Sequence, residues 1–208
     1  MADAAPGLRI TLEDVSKRFG RQWILRHRSE AYVAGERYGI RGRNGSGKST
    51  LLRLLAGQLS PTRGRVTFTL DGRRFPVEEM YRHVSWTGPY FEIVEELTVE
   101  EFLKYHFTLK PLLPGHDVAR VVDRIDLRAA RHRPLKDCSS GMRQRVLLAS
   151  ALFAATPLLL LDEPTVTLDA ASADWFDATL QDCAAGRLTV IASNDERDLR
   201  RCNHIAEL

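Results

Sequence analysis

Along the first third of the chain, apolar residues recur at every second position. Leu8, Ile10, Leu12 and Val15 predict a half-buried strand over Leu8–Val15. A second strand region covers Trp23–Val33 and a short one Glu36–Arg41. Gly64–Leu70 is another, with Val66, Phe68 and Leu70 alternating, and Asp71-Gly72 after it reads as a hairpin turn. Arg82–Trp86 is the last strand before Thr87-Gly88-Pro89 breaks the pattern. Helical spacing first occurs in Ser49–Leu59, where Leu51, Leu52, Leu54 and Leu55 supply one apolar face.

The middle of the chain has helical spacing and no strong strand. Thr98 and Glu101 form a capping box that opens a helix through about Phe107, and Pro111 and Pro114 end it. Asp117–Ile125 is a second short helix, and Arg131–Pro134 a loop. Val146–Ala155 then reads as a helix and Leu158–Leu161 as a strand buried on both faces, as parallel strands are. Asp169 caps a helix to about Ala185, stopped by Gly186. Leu188–Ala192 is another buried strand, followed by a short helix over Asp195–Arg201 and a final short strand. The pattern predicts one domain over 1–208: an α/β core formed by 1–87 and 145–208, with a helical lobe inserted at 88–144.

Composition adds limits rather than direction. The 208 residues suffice for one sizeable core, and 44% hydrophobic with 27% charged residues is ordinary for a globular chain. The net charge of +3 gives no electrostatic case for a nucleic-acid partner, and the 25 arginines against 5 lysines are scattered. Arg63, Arg65, Arg73 and Arg74 read as a solvated strand–turn face. Cys138, Cys183 and Cys202 form no C-x-x-C pair, which argues against a disulfide framework or a zinc site and fits a reducing cytosol. Met1–Gly7 lacks the basic and apolar regions of a signal peptide. The longest apolar stretch, Val146–Leu161, is broken by Pro157 and is too short to span a bilayer. Any membrane spans are expected on another chain.

The chemistry concentrates at three places. Gly42-Arg43-Asn44-Gly45-Ser46-Gly47-Lys48-Ser49-Thr50 fits G-x-x-x-x-G-K-[ST] between a strand and a helix. Gly45 and Gly47 let successive backbone N–H groups point at phosphate oxygens, helped by the positive end of the helix. Lys48 is placed to reach β- and γ-phosphates, and the Ser49 hydroxyl to hold Mg²⁺. Leu158–Leu161 ends in Asp162-Glu163 at the C-terminal end of a predicted parallel strand, where ligands bind in such sheets. Asp162 suits Mg²⁺, and Glu163 suits the acceptor of a proton from a water attacking the γ-phosphate. Phe19, 23 residues before Gly42, is an aromatic that could lie on an adenine ring, though a lone Phe is more often core.

The third place, Cys138-Ser139-Ser140-Gly141-Met142-Arg143-Gln144-Arg145, lies 17 residues before Asp162 and opens a helix. It resembles the signature sequence of ATP-binding-cassette ATPases, in the variant S-S-G-M-x-Q-R, with Ser139 and Gly141 at its least replaceable positions. The resemblance covers nearly the whole chain and extends to single-domain ATP-binding subunits of transporters, the haem-exporter branch among them. It implies an α/β fold with a P-loop NTPase core, an antiparallel β portion and an inserted helical lobe. It also implies ATP and Mg²⁺ as ligands, Phe19 on the adenine, and Leu168-Asp169 at a dimer seam. The expected partners are a second cassette, whose nucleotide Ser139 and Gly141 would face, and an integral membrane subunit on the inner face of the cell membrane. No nucleic acid is expected.

Two positions depart from the family pattern. The Gln after the fourth strand is replaced at about Pro89, and no Gln occurs between Gln58 and Gln144. The His after the last core strand is replaced by Asn194, whose amide can donate a hydrogen bond but brings no positive charge. Glu92 could stand in for the missing Gln, in a stretch with Tyr90 and Phe91 that the family places beside the membrane subunit. An ATP-hydrolysing transporter subunit is the expected function. The alternatives are a regulatory cassette that hydrolyses poorly and a soluble cassette acting on ribosomes or DNA.

Overall fold

The structure, a computed structural model, describes residues 7–89 and 91–208. Met1–Pro6, and with them most of the stretch read for a signal peptide, lie outside the described residues, as does Tyr90. The chain runs β1 (Leu8–Phe19), β2 (Gln22–Val33), β3 (Arg37–Arg41), α1 (Lys48–Leu55), β4 (Arg63–Leu70), β5 (Arg73–Phe75), β6 (Val84–Thr87), α2 (Val99–Leu109) and α3 (Val118–Arg124). It continues through α4 (Ser140–Leu152), β7 (Leu158–Asp162), α5 (Ala170–Cys183), β8 (Leu188–Ser193), α6 (Glu196–Leu199) and β9 (His204–Glu207). Short 3₁₀ turns occupy Val77–Arg82, Arg128–Ala130 and Leu135–Asp137.

Two sheets result. β2-β1-β4-β5 is antiparallel, and β6-β7-β8-β3-β9 is parallel throughout. β7 and β8 lie inside the parallel sheet and are buried at every residue. Alternation then divides their side chains between two cores. Leu158, Leu160, Leu188 and Val190 join a cluster with Leu51, Leu52, Leu54 and Leu55 of α1 and with Leu8, Ile10 and Leu12 of β1. Leu159, Leu161 and Ile191 face the other way, into a cluster with Phe102 and Leu103 of α2, Val121 and Val122 of α3, Leu148 of α4 and Phe176 of α5. Helix α1 is therefore enclosed between the antiparallel sheet and the parallel one. Full burial of each such Leu contributes about 1.5–3 kcal/mol before the entropic cost of ordering.

Several boundaries move for identifiable reasons. β1 runs past Val15 to Phe19, because bulges between Leu12 and Val15 and again before Arg18 break the alternation without ending the pairing with β2. Asp14 has φ 49 at the first of these. α1 stops at Leu55 rather than Leu59. β6 starts at Val84, since Val77–Arg82 winds into 3₁₀ turns after Pro76. β5 is a three-residue partner of β4 across the Asp71-Gly72 turn and escaped the hydrophobic pattern. α4 begins at Ser140, six residues before Val146, where the Ser139 side chain caps Met142 N–H at 3.2 Å. The Thr98–Glu101 capping box and the Asp169 cap of α5 form as read. Arg63, Arg65, Arg73 and Arg74 are exposed.

Candidate nucleotide and hydrolysis site

The segment 42–47 leaves the C-terminal end of β3 and turns into the first residue of α1. Gly45 and Gly47 have φ 83 and 109. At Gly47 both conformation and space require glycine, since a Cβ there would stand 2.7 Å from Ile24 Cγ2. The turn delivers Lys48 and Ser49 to the mouth of a cleft of about 390 Å³.

Lys48 is 5% exposed. Its ammonium donates to Gly42 O at 2.7 Å and, more weakly, to Arg43 O at 3.4 Å, and it stands 3.0 Å from Glu163 Oε1. The last contact is ionic only, because Glu163 Oε1 has no hydrogen-bond partner among the described residues. Ser49 Oγ donates to Asp162 Oδ2 at 2.6 Å, joining positions 113 residues apart. Burial pushes the Asp162 carboxyl above the usual carboxylate range, opposed by that hydrogen bond and by Lys48. Asp162 makes no salt bridge among the described residues, and its buried carboxylate stands side by side with the Ser49 hydroxyl at the cleft. This hard, all-oxygen pair fits a divalent metal such as Mg²⁺.

Glu163 is held in an unusual conformation, φ 46, while its N–H donates to Ala192 O on β8 at 2.8 Å. A left-handed backbone at a non-glycine residue costs on the order of 1–3 kcal/mol and marks a position fixed by its surroundings. Here it turns the carboxylate back over the cleft. Glu163 Oε2 lies 3.1 Å from Ser193 Oγ and 3.4 Å from Asn194 N.

The structure thus gathers most of the residues expected from sequence. Phe19, Arg43, Asn44, Gly45, Gly47, Lys48, Ser49, Thr50, Asp162, Glu163 and Asn194 all line the cleft. Gly42 and Ser46 line the adjoining open groove with Asn194. Phe19 is half exposed at one wall, with Lys17 Nζ 5.2 Å from its ring centroid. Pro89 lines the cleft where the family pattern has Gln, so that wall offers no side-chain amide. Glu92 is exposed and is not among the lining residues. Ser139 and Gly141 are not brought to this cleft; they stand at the start of α4, Ser139 exposed.

Other participants were not foreseen. Ile24 and Val166 complete the lining. Gln144 is buried, and its amide donates to Pro164 O at 3.0 Å, tying the signature helix to the loop after Glu163. Ser193 touches Glu163, and its one signal in the sequence was its place beside Asn194.

Comparison with known proteins agrees with this geometry. Residues 25–166 match the family described as ABC transporter. The chain is 34% identical over 175 residues to the uncharacterized ABC transporter ATP-binding protein YdbJ of Bacillus subtilis, covering 84% of this chain and 57% of that longer one. It is 34% identical over 205 residues to the cytochrome c biogenesis ATP-binding export protein CcmA of Rhizobium etli, covering 95% and 94% of the two chains. A solved ATP-binding subunit of an ABC transporter superposes with a TM-score of 0.83 at 23% identity, over 96% of this chain and 85% of the other, a likeness of fold. This chain belongs to the ABC transporter family, among its ATP-binding subunits with ATPase activity.

Proposed function

We propose that the chain binds Mg²⁺-ATP in this cleft and hydrolyses it as one of two cassettes seated beneath an integral membrane subunit. The observation that carries the reading is the convergence of Lys48, Ser49, Asp162 and Glu163, from the ends of α1 and β7, within 3.0 Å of one another in pairs. The turn before α1 would cradle the phosphates with backbone N–H groups, and Lys48 would balance their charge. Phe19 would lie against the base. Ser49 and Asp162 would hold the metal, which when bound neutralises charge developing on the phosphoryl oxygens. Glu163 would accept a proton from the attacking water, and Asn194 would offer one amide hydrogen bond near the γ-phosphate.

The dimer follows from what the cleft lacks. Ser139 and the α4 N-terminus are a ready anion site that this chain's own cleft does not use. A second cassette, facing this one, would place them on its nucleotide. Among the described residues no helix is long and apolar enough to cross a membrane. Exposed Val77, Tyr81, Phe91, Val94, Tyr105 and Leu109 offer apolar surface to a membrane partner on the cytoplasmic side.

A second reading, a regulatory cassette with weak hydrolysis, is favoured by Pro89 and Asn194 alone. Steady-state phosphate release by the parent, with Glu163→Gln as the blank, separates the two. Turnover above the blank supports the first reading. Tight ATP binding without turnover, alone and with the membrane subunit, would establish the second.

A further inference from the structure

The indole of Trp23 gathers three guanidiniums. Those of Arg18, Arg26 and Arg63 stand 5.6, 5.8 and 5.3 Å from its ring centroid. Three strands supply the cluster. Arg18 on β1 lies across from Trp23 on β2. Arg26 follows on β2, just before the irregular pairing at His27, where φ is 50. Arg63 opens β4 and pairs with Ser16 of β1. These strand ends are pinned together: Arg18 N–H donates to Thr62 Oγ1 at 3.2 Å, and Lys17 Nζ to Ser60 O at 2.8 Å. Trp23 is half-buried, the three arginines are exposed, and none of the four lines the cleft that holds Lys48.

Nothing in the chain neutralises this cluster. Arg18, Arg26 and Arg63 have no salt bridge among the described residues, whereas Arg28, Arg124 and Arg201 meet carboxylates at 2.8, 2.7 and 2.6 Å. The sequence around them is free of acids: none occurs between Asp14 and Glu30, or between Glu36 and Asp71. The fold thus gathers arginines that are scattered along the chain. Over 8–33 and 63–75, the antiparallel sheet with its two hairpin turns, Lys and Arg number ten against four Asp and Glu, while the whole chain is only +3. A guanidinium over an aromatic ring is attracted to it and keeps N–H edges for oxygen ligands. Three like charges around one ring also repel, so an anion among them gains attraction and relieves that repulsion.

The chemistry favours phosphate. A lone carboxylate has two oxygens, enough for one bidentate guanidinium. A terminal phosphate carries three acceptor oxygens and close to two charges, which suits guanidiniums arriving from three strands. With guanidiniums crowded around it, the indole is a support for cations rather than an open platform for a nucleic-acid base. We propose that Arg18, Arg26 and Arg63, held around Trp23, form a binding site for a phosphate-bearing anion, either a phospholipid headgroup or a soluble oligophosphate. The site is separate from the nucleotide cleft and does not depend on the hydrolytic reading.

Two probes distinguish the sources, each used on the full chain with the cleft filled by Mg²⁺-ADP. One is co-sedimentation with phosphatidylcholine vesicles containing phosphatidic acid, against phosphatidylcholine alone. The other is calorimetric titration with inositol hexakisphosphate. Binding to the acidic vesicles alone assigns a headgroup, binding to the soluble probe alone assigns a free oligophosphate, and binding to both assigns the phosphate group they share. The triple variant Arg18→Gln, Arg26→Gln, Arg63→Gln is expected to bind at least about tenfold more weakly. A control triple variant, Arg9→Gln, Arg73→Gln, Arg74→Gln, removes the same charge from the same sheet and should stay within about twofold of the parent. Trp23→Ala keeps every charge but frees the guanidiniums, and should weaken binding roughly threefold. Parent-like ATP turnover and melting temperature show that the variants are folded, and Arg63→Gln alone, with a roughly threefold loss, serves if the triple variant is not recovered. No binding of either probe, or an equal loss in the control variant, overturns the site. A single-stranded RNA bound more tightly than either probe through the same three arginines would overturn it in favour of a nucleic-acid surface.

Discussion

Lys48 is the residue on which most of the site's electrostatics meet. Its ammonium is buried against two loop carbonyls and the Glu163 carboxylate, so it is already fixed where an incoming phosphate would need it. Removing such a charge-assisted contact costs about 1.5–3 kcal/mol, roughly ten- to over a hundredfold in affinity. Equilibrium titration of Lys48→Ala with ATP is expected to show that loss, and parent-like binding would remove the phosphate-loop assignment. Asn194 is the counterpart at the far wall: present in the cleft, able to donate, and uncharged. Asn194→His is expected to raise steady-state turnover by roughly tenfold, part of the 10²–10³ that one positioned electrostatic group commonly supplies. No gain, with or without the membrane subunit, would mean that Asn194 is no handicap. The residues that bear the motif chemistry were legible because their spacing is linear: six positions fix Gly42 to Lys48, and two adjacent acids end an apolar run. Ser193 was not, because its partner Glu163 lies 30 residues away in sequence and is fixed only by tertiary contact.

At the scale of elements, strands and helices with a clean period were readable and interrupted ones were not. β7 and β8 announce themselves as unbroken apolar runs, and the capping box of α2 is local chemistry. β1 hides its second half behind bulges, which is why Phe19 was read from its distance to Gly42 rather than from a strand that carries it to the cleft. α2 is also held from outside. Glu100 near its start accepts two hydrogen bonds from Arg131, at 2.7 and 2.5 Å, and pairs with Lys104 at 2.8 Å. The Arg131 guanidinium, with Lys104, holds the Glu100 carboxyl well below the usual range, at about 2. A depressed carboxyl adds stability above its unfolded pKa of about 4.3, and that contribution fades as pH falls toward the folded value. Glu100→Gln should therefore melt below the parent at pH 7, with the difference closing between about pH 4 and pH 2. Thermal unfolding of both proteins across that range checks it. A gap that stays constant with pH would mean that the clamp acts through packing alone.

For the whole molecule, the decisive question is what sits opposite the start of α4. Glu163→Gln keeps the size and the Lys48 neighbour of the parent side chain while removing the proposed proton acceptor, so ATP should remain bound and hold two cassettes together. Sizing chromatography with Mg²⁺-ATP is expected to show a dimer for Glu163→Gln and a smaller species without nucleotide. A chain that stays monomeric at high concentration would count against pairing with itself. Within each cassette, the division of β7 and β8 between two cores has a further consequence. Their amides are paired on both sides and walled in by side chains on both faces, so solvent reaches them only when both clusters open together. Deuterium should enter these strands last, at the pace of global unfolding. Asp162 closes one of these strands, Glu163 follows it directly, and Ser193 closes the other. The groups proposed for hydrolysis would thus be mounted on the slowest-exchanging strands, and activity lost on heating should coincide with the cooperative melt instead of preceding it.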